Sequence, residues 1–207
     1  WIRRRITHNE SVPPIVRWSV SVLAIASNYE KAFTKTFRPQ EYKWVKPNPK
    51  IDKLNVDAAY YQDEGMGATS AIIRDEKGNF IAATCKFIPF AADVVTTEAM
   101  AMRDGLELAN SLGFNRLEAE ADSIQVINFC TGQSRWWDAA AAIFAECVDT
   151  TTLIGKVIYK HCYRLSNQAA HVLANYSYCN KSSYNWLDEP PEFVVSKLTD
   201  NVTLFLF

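Results

Sequence analysis

Residues 53–88 read KLNVDAAYYQDEGMGATSAIIRDEKGNFIAATCKFI, and this stretch decides the fold. The run 53–61 alternates apolar and polar side chains and stops at Asp63-Glu64-Gly65. The run 67–74 is closed by Asp75-Glu76-Lys77-Gly78, and the apolar run 80–88 follows. Three short strands joined by turn residues predict an antiparallel meander. From residue 96 the period changes: TTEAMAMRDGLELANSL spaces Ala99, Met102, Leu106 and Ala109 as one face of a helix, with Gly113 as its stop. A strand over 117–121, a short helix over 123–130, an Ala-rich helix over 136–149, a strand over 156–163 and a helix over 167–178 complete the pattern. The order βββαβααβα predicts an α/β fold, a mixed five-stranded sheet with helices on both faces. A right-handed crossover from strand 3 carries strand 4 to the free side of strand 1, giving the spatial order 3-2-1-4-5. The direction of winding reverses between strands 1 and 4. Ligands gather at such a point, beside the carboxyl ends of the strands.

Three acids are candidates for that crevice: Asp57 in strand 1, Glu98 in the first turn of the crossover helix, and Asp122 at the end of strand 4. Each has a plainer alternative. Glu98 can complement the helix dipole, Asp122 can cap the helix that follows, and Asp57 can lie on a solvated face. If they converge, they repel one another and raise each other's pKa unless divalent cations sit between them. Hard oxygen ligands with open positions suit Mg²⁺ or Mn²⁺, which can bridge phosphate oxygens.

Composition bounds the rest. The chain has 207 residues, 48% hydrophobic and 22% charged, as expected of one domain with a short appendage. Lys and Arg (22) nearly cancel Asp and Glu (23), which excludes a histone-like protein or an acidic solvating tail. No apolar run reaches the ~18 residues of a membrane span. Five Cys with no Cys-x-x-Cys pair argue against a zinc ribbon and for reduced thiols in an intracellular chain, nuclear or cytoplasmic. No motif calls for an organic cofactor.

Charge is unevenly spread. Residues 1–50 carry ten Lys and Arg against three acids, Glu10, Glu30 and Glu41, whereas the remainder is acidic. Pro13-Pro14 followed by Ile15, Trp18, Val22, Leu23 and Ala26 predicts an amphipathic helix, and the Pro- and Lys-rich residues 35–50 predict a linker. The organisation expected is a basic helical arm and linker over 1–50, a domain over 51–180 and an irregular tail over 181–207. The arm is either an electrostatic contact to nucleic acid or a solvated linker.

The strings KLNVDAAY (53–60), TTEAMAMRDGLELA (96–109), EADSIQVI (120–127) and RLSNQAAHVLA (164–174) resemble the type 1 ribonuclease H superfamily. They are closest to its plant reverse-transcriptase-like branch, derived from non-LTR retroelements. The resemblance covers roughly residues 52–178. It implies that Asp57, Glu98 and Asp122 hold two Mg²⁺ ions, with Mn²⁺ as a substitute, and that Asn167 contacts the substrate. It also implies hydrolysis of the RNA strand of an RNA–DNA hybrid, or a nucleic-acid-binding module if turnover has been lost.

Two departures stand out. The family's fourth carboxylate matches His171, counted here as a catalytic residue able to ligate a cation or relay a proton. A basic helical protrusion used by some members has no counterpart, since residues 132–150 offer only Arg135. Trp136-Trp137 can stack bases or pack against the Ala-rich helix. Without the resemblance, Asn167 reads as a helix cap and His171 as a partly buried histidine.

Overall fold

The computed structural model describes residues 43–134 and 140–199. The expected meander is present: β1 (Asp52–Tyr61), β2 (Met66–Arg74) and β3 (Phe80–Ile88) pair antiparallel in sequence order. Helix α1 (Val94–Ser111) then crosses to β4 (Arg116–Ala121), which lies parallel to β1. Helices α2 (Ile124–Cys130) and α3 (Ala140–Ile154) lead to β5 (Lys156–His161), parallel to β4. A 3₁₀ turn (Arg164–Ser166) and α4 (Gln168–Asn180) follow. The arm helix over 15–26, Arg135 and Trp136-Trp137 lie outside the described residues.

The period-2 pattern of the strands sorts their side chains between two cores. Leu54, Val56, Ala71, Ile73, Leu117 and Ala119 face one way, under α1, α2 and α3. Ile72, Ala83 and Cys85 face the other way, under α4. Helices thus cover both faces, as the alternation of elements predicts.

The tail differs from expectation. It is not irregular: β6 (Tyr184–Leu187) pairs antiparallel with β3, and α5 (Glu192–Thr199) packs beside it. The sheet therefore has six strands in the order β5-β4-β1-β2-β3-β6, the expected five-strand order extended at its β3 edge. An uncovered β3 would present unpaired backbone groups. Four residues between Ser182-Ser183 and Pro190-Pro191 are too few to show a period, so the strand was hidden in the sequence. An aromatic cluster holds it: Tyr176 of α4 stacks on Phe193 of α5, with ring centroids 4.2 Å apart, and Tyr184 stacks on Trp186 at 5.6 Å.

The expected boundary at residue 50 also moves. Trp44 is only 3% exposed, and its indole donates to Asn55 Oδ1 at 2.8 Å. The Arg74 guanidinium lies over the Trp44 ring, 3.6 Å from its centroid, and Lys53 Nζ donates to the Val45 carbonyl at 2.6 Å. The end of the presumed linker is part of the packed domain because it covers buried charge on β1 and β2.

Trp44→Ala should therefore destabilise the protein by about 3 kcal/mol, the usual cost of emptying a buried aromatic site. A chain beginning at residue 51 should be destabilised at least as much. Urea unfolding of both against the full chain checks this, and a loss below about 1 kcal/mol for Trp44→Ala would place the boundary back at residue 50.

Candidate metal centre

The three acids arrive from three separate elements. Register sets the first pair: Val56 of β1 is opposite Ala121 of β4, so Asp57 and Asp122 stand side by side one residue further on. The third depends on how closely α1 lies on β1. A Cβ at Gly105 would meet Val56 Cγ1 at 2.7 Å, so only glycine permits this approach. Glu98 lies two turns before Gly105 on the same side of α1, near Asp122 just beyond the end of β4. One carboxylate oxygen from each of Asp57, Glu98 and Asp122 lies within 4.8 Å of the others.

The plainer readings of these acids do not describe the structure. Asp93 caps α1, accepting from the Thr96 backbone N–H at 2.7 Å, and no acid occupies the first turn. Glu98 is in the second turn, a correction to the sequence reading. Ser123, not Asp122, caps α2 through its hydroxyl. Asp57 is 3% exposed.

The electrostatics are those of an uncompensated cluster. Burial, then the neighbouring Asp57 and Asp122, hold Glu98 well above the usual carboxylate range. Burial, then Asp57, push Asp122 up to about 6. Arg164 opposes both shifts. Glu98 Oε2 is buried with no hydrogen-bond partner. An orphaned oxygen among crowded carboxylates fits a divalent cation with oxygen ligands, because the ion satisfies the lone pairs and cancels the repulsion.

The acids line a cleft of about 350 Å³ with Tyr61, Val94, Arg164, His171 and Asn175 among its walls. His171 is brought to the site: its Nδ1 lies 2.9 Å from Asp57 Oδ2. Asn167 is not. It is 1% exposed, and its amide donates to the Val56 carbonyl at 2.8 Å, fastening the start of α4 to β1 immediately before Asp57. The expected substrate contact at Asn167 is therefore corrected to a buried tie, and its side chain makes no capping bond to α4 either.

Sequence reasoning missed Arg164 and Asn175. Arg164 had no signal except its place three residues before Asn167. Asn175 follows His171 by four, the spacing that puts two helical side chains on one side, and that signal was available.

The profile of the reverse transcriptase-like family matches residues 55–177. Among solved structures, ribonuclease H1 from the halophilic archaeon Halobacterium salinarum NRC-1 is similar, with 22% identity and a TM-score of 0.59 over 64% of this chain and 99% of that one. The N-terminal RNase H domain of rv2228c from Mycobacterium tuberculosis gives 17% identity and a TM-score of 0.59, covering 63% and 94% of the two chains. LC11-RNase H1 in complex with an RNA/DNA hybrid gives 19% and 0.57, covering 63% and 97%. At these identities the likeness is one of fold. No curated protein matches the chain.

Cation binding must displace protons held by Glu98 and Asp122. Because both acids sit above their ordinary range, the affinity for Mn²⁺ should rise with pH, about tenfold per unit below pH 6 for one displaced proton. Calorimetric titration in buffers of different ionisation enthalpy should show proton release at pH 5.5. An affinity that is flat between pH 5 and 7 would contradict the assignment.

Proposed function

The chain belongs to the reverse transcriptase-like family of the ribonuclease H superfamily, and from that membership we propose that it binds RNA–DNA hybrids and hydrolyses their RNA strand. The observation that carries the proposal is the convergence of Asp57, Glu98 and Asp122 at the reversal point of the sheet, with one buried carboxylate oxygen left unpartnered. Asp57, Glu98 and Asp122 would hold Mg²⁺ or Mn²⁺, in the two-ion arrangement that the resemblance implies. When bound, such ions would activate an attacking water and stabilise charge on the phosphate and the leaving oxygen.

The protein's own groups do the positioning. Arg164 lines the same cleft as the three acids, and its guanidinium is suited to hold a phosphate oxygen against them. The tie from Asn167 to the Val56 carbonyl keeps α4 at a fixed height above Asp57. Distinguishing RNA from DNA would rest on polar groups that reach a 2′-OH along the groove. The site of action proposed for it is the nucleus or cytoplasm. No described helix is long and apolar enough to cross a membrane.

One observation favours a second reading, a binding module without turnover. His171 stands where the family pattern has a fourth acid, and an imidazole lacks the negative charge that a hard cation attracts.

A labelled RNA–DNA hybrid incubated with the full chain and Mg²⁺, Mn²⁺ or chelator separates the two readings. Cleavage should require a cation and be faster in Mn²⁺ than the His171 substitution permits in Mg²⁺. Asp57→Asn should lower the rate at least about 10³-fold, while leaving hybrid binding within a few-fold. Binding without cleavage in either cation would establish the second reading.

Arg164→Ala should weaken hybrid binding and reduce the magnitude of its salt slope by about one, as expected for one lost phosphate contact. A slope unchanged from the parent chain would remove Arg164 from the phosphate-binding role.

A further inference from the structure

The side of α4 that looks into the cleft carries a hydrogen-bonded chain that the chemistry above does not use. His171 Nδ1 lies 2.9 Å from Asp57 Oδ2, and His171 Nε2 lies 3.0 Å from Asn175 Nδ2. The Tyr61 hydroxyl is 3.5 Å from Asn175 Oδ1. The Tyr61 ring stacks on Tyr178, with centroids 3.6 Å apart, and Tyr178 donates its hydroxyl to Glu64. His171, Asn175 and Tyr178 follow one another at helical spacings of four and three, so a single side of α4 holds the whole chain.

The chemistry of the donors sets its direction. The NH₂ group of Asn175 faces His171 Nε2, and its Oδ1 faces the Tyr61 hydroxyl. An amide NH₂ only donates, so Nε2 of the imidazole accepts and carries no proton. The ring proton then belongs to Nδ1, which donates it to Asp57 Oδ2, a carboxylate oxygen that can only accept. Both ring nitrogens are engaged by protein partners, and neither is turned toward a cation. His171 keeps 23% of its side-chain surface exposed, so these partners and not burial hold the ring.

We propose that Asn175 is a positioning residue for the metal centre: it holds His171 as the Nδ1–H tautomer, and His171 thereby orients Asp57 through Oδ2 and does not itself ligate a cation. This rests on the reading of Asp57, Glu98 and Asp122 as cation ligands. It leaves Asp57 Oδ1 for the cation. The role open to His171 in the sequence, ligand or relay, becomes that of a fixed donor, the task that hydrogen-bond partners behind metal ligands commonly perform.

Long-range ¹H–¹⁵N correlation spectra of the full chain test the first half. The chain has three histidines, and His171 is identified by its loss in His171→Gln. Its Nδ1 should show the shift of a protonated ring nitrogen and its Nε2 that of an unprotonated acceptor. Neither should take the shift of a metal-bound nitrogen when Mg²⁺ is added, although Nδ1 can respond to the cation on Asp57. In Asn175→Leu the ring is free to turn over and present either nitrogen to Asp57, so the two shifts should move toward each other. Asn175→Gln, which keeps an amide donor, should preserve more of the parent pattern.

Mn²⁺ binding followed by electron paramagnetic resonance tests the second half. Asn175→Leu should bind about three- to tenfold more weakly than the parent, with a midpoint of thermal unfolding within a few degrees of it, and Asn175→Gln should lie between the two. A protonated Nε2 in the parent, the shift of a metal-bound nitrogen at either ring position on adding Mg²⁺, or identical spectra for parent and Asn175→Leu would overturn the proposal. Equal Mn²⁺ affinity in parent and Asn175→Leu would do the same. If the spectra are as expected but neither protein binds Mn²⁺, the tautomer assignment holds, and both the cation reading and the orienting role built on it fall.

Discussion

The described part of this molecule accommodates negative charge gathered along β4 and beside Asp57 of β1. On the side of the sheet that carries Asp57, β1 presents Lys53 and Asn55 before it, and β4 presents Glu118 and Glu120 before Asp122. Lys53 Nζ bridges Glu118 and Glu120 at 2.7 and 2.6 Å, and Asn55 donates to Glu120 at 3.0 Å. Lys160 from β5 reaches Glu118 at 2.6 Å. Burial works against ionisation of Glu118, but the hydrogen bonds from Lys160 and Lys53 hold it below its ordinary range. Glu118 and Glu120 are thus compensated by protein cations. Asp57 and Asp122, one step further along, have no ion pair with Lys or Arg among the described residues, only the opposing field of Arg164 on Asp122 and the His171 ring beside Asp57, and Glu98 joins them. Charge left over beyond this neutralised ladder is what makes the site compatible with a divalent cation.

The ladder also explains why the domain reaches back to Trp44. Buried polar groups are costly unless they are partnered. Arg74, opposite Lys53 on β2, is 1% exposed, and burial pushes its pKa down to about 9. Trp44 supplies a ring over the guanidinium and a donor to Asn55, whose Oδ1 also accepts from Arg74 at 2.8 Å. Residues just upstream of β1 therefore share a hydrogen-bond network with the strand that carries Asp57. That network reaches Asn55, two residues before Asp57.

How much of this was legible follows from the range of the forces involved. The meander, the crossover helix and the sheet order 3-2-1-4-5 were legible because period and turn chemistry are local and because handedness restricts how strands connect. The convergence of Asp57, Glu98 and Asp122 was legible for the same reason, since topology alone brings their elements together. The turn of α1 that carries Glu98 was read one too early because Asp93, outside the apolar pattern, caps the helix. The β6 strand was missed because it depends on an edge of β3 and on aromatic partners in α4 and α5. Trp44 was missed because its reason to be buried, a cation–π contact with Arg74, lies thirty residues away. Asn167 was misassigned because nothing local says which way a polar side chain at a helix start will turn. The basic arm over residues 1–42 lies outside the described residues, and its role stays with the sequence reading.

The central claim is that the three uncompensated acids take a divalent cation. Anomalous diffraction from crystals of the full chain soaked in Mn²⁺ tests it most directly. The account predicts an anomalous peak at ~2.1–2.3 Å from a carboxylate oxygen of each of Asp57, Glu98 and Asp122, with no ligand from His171. Manganese bound elsewhere while this cluster stays empty, or a peak held by the His171 ring, would contradict it.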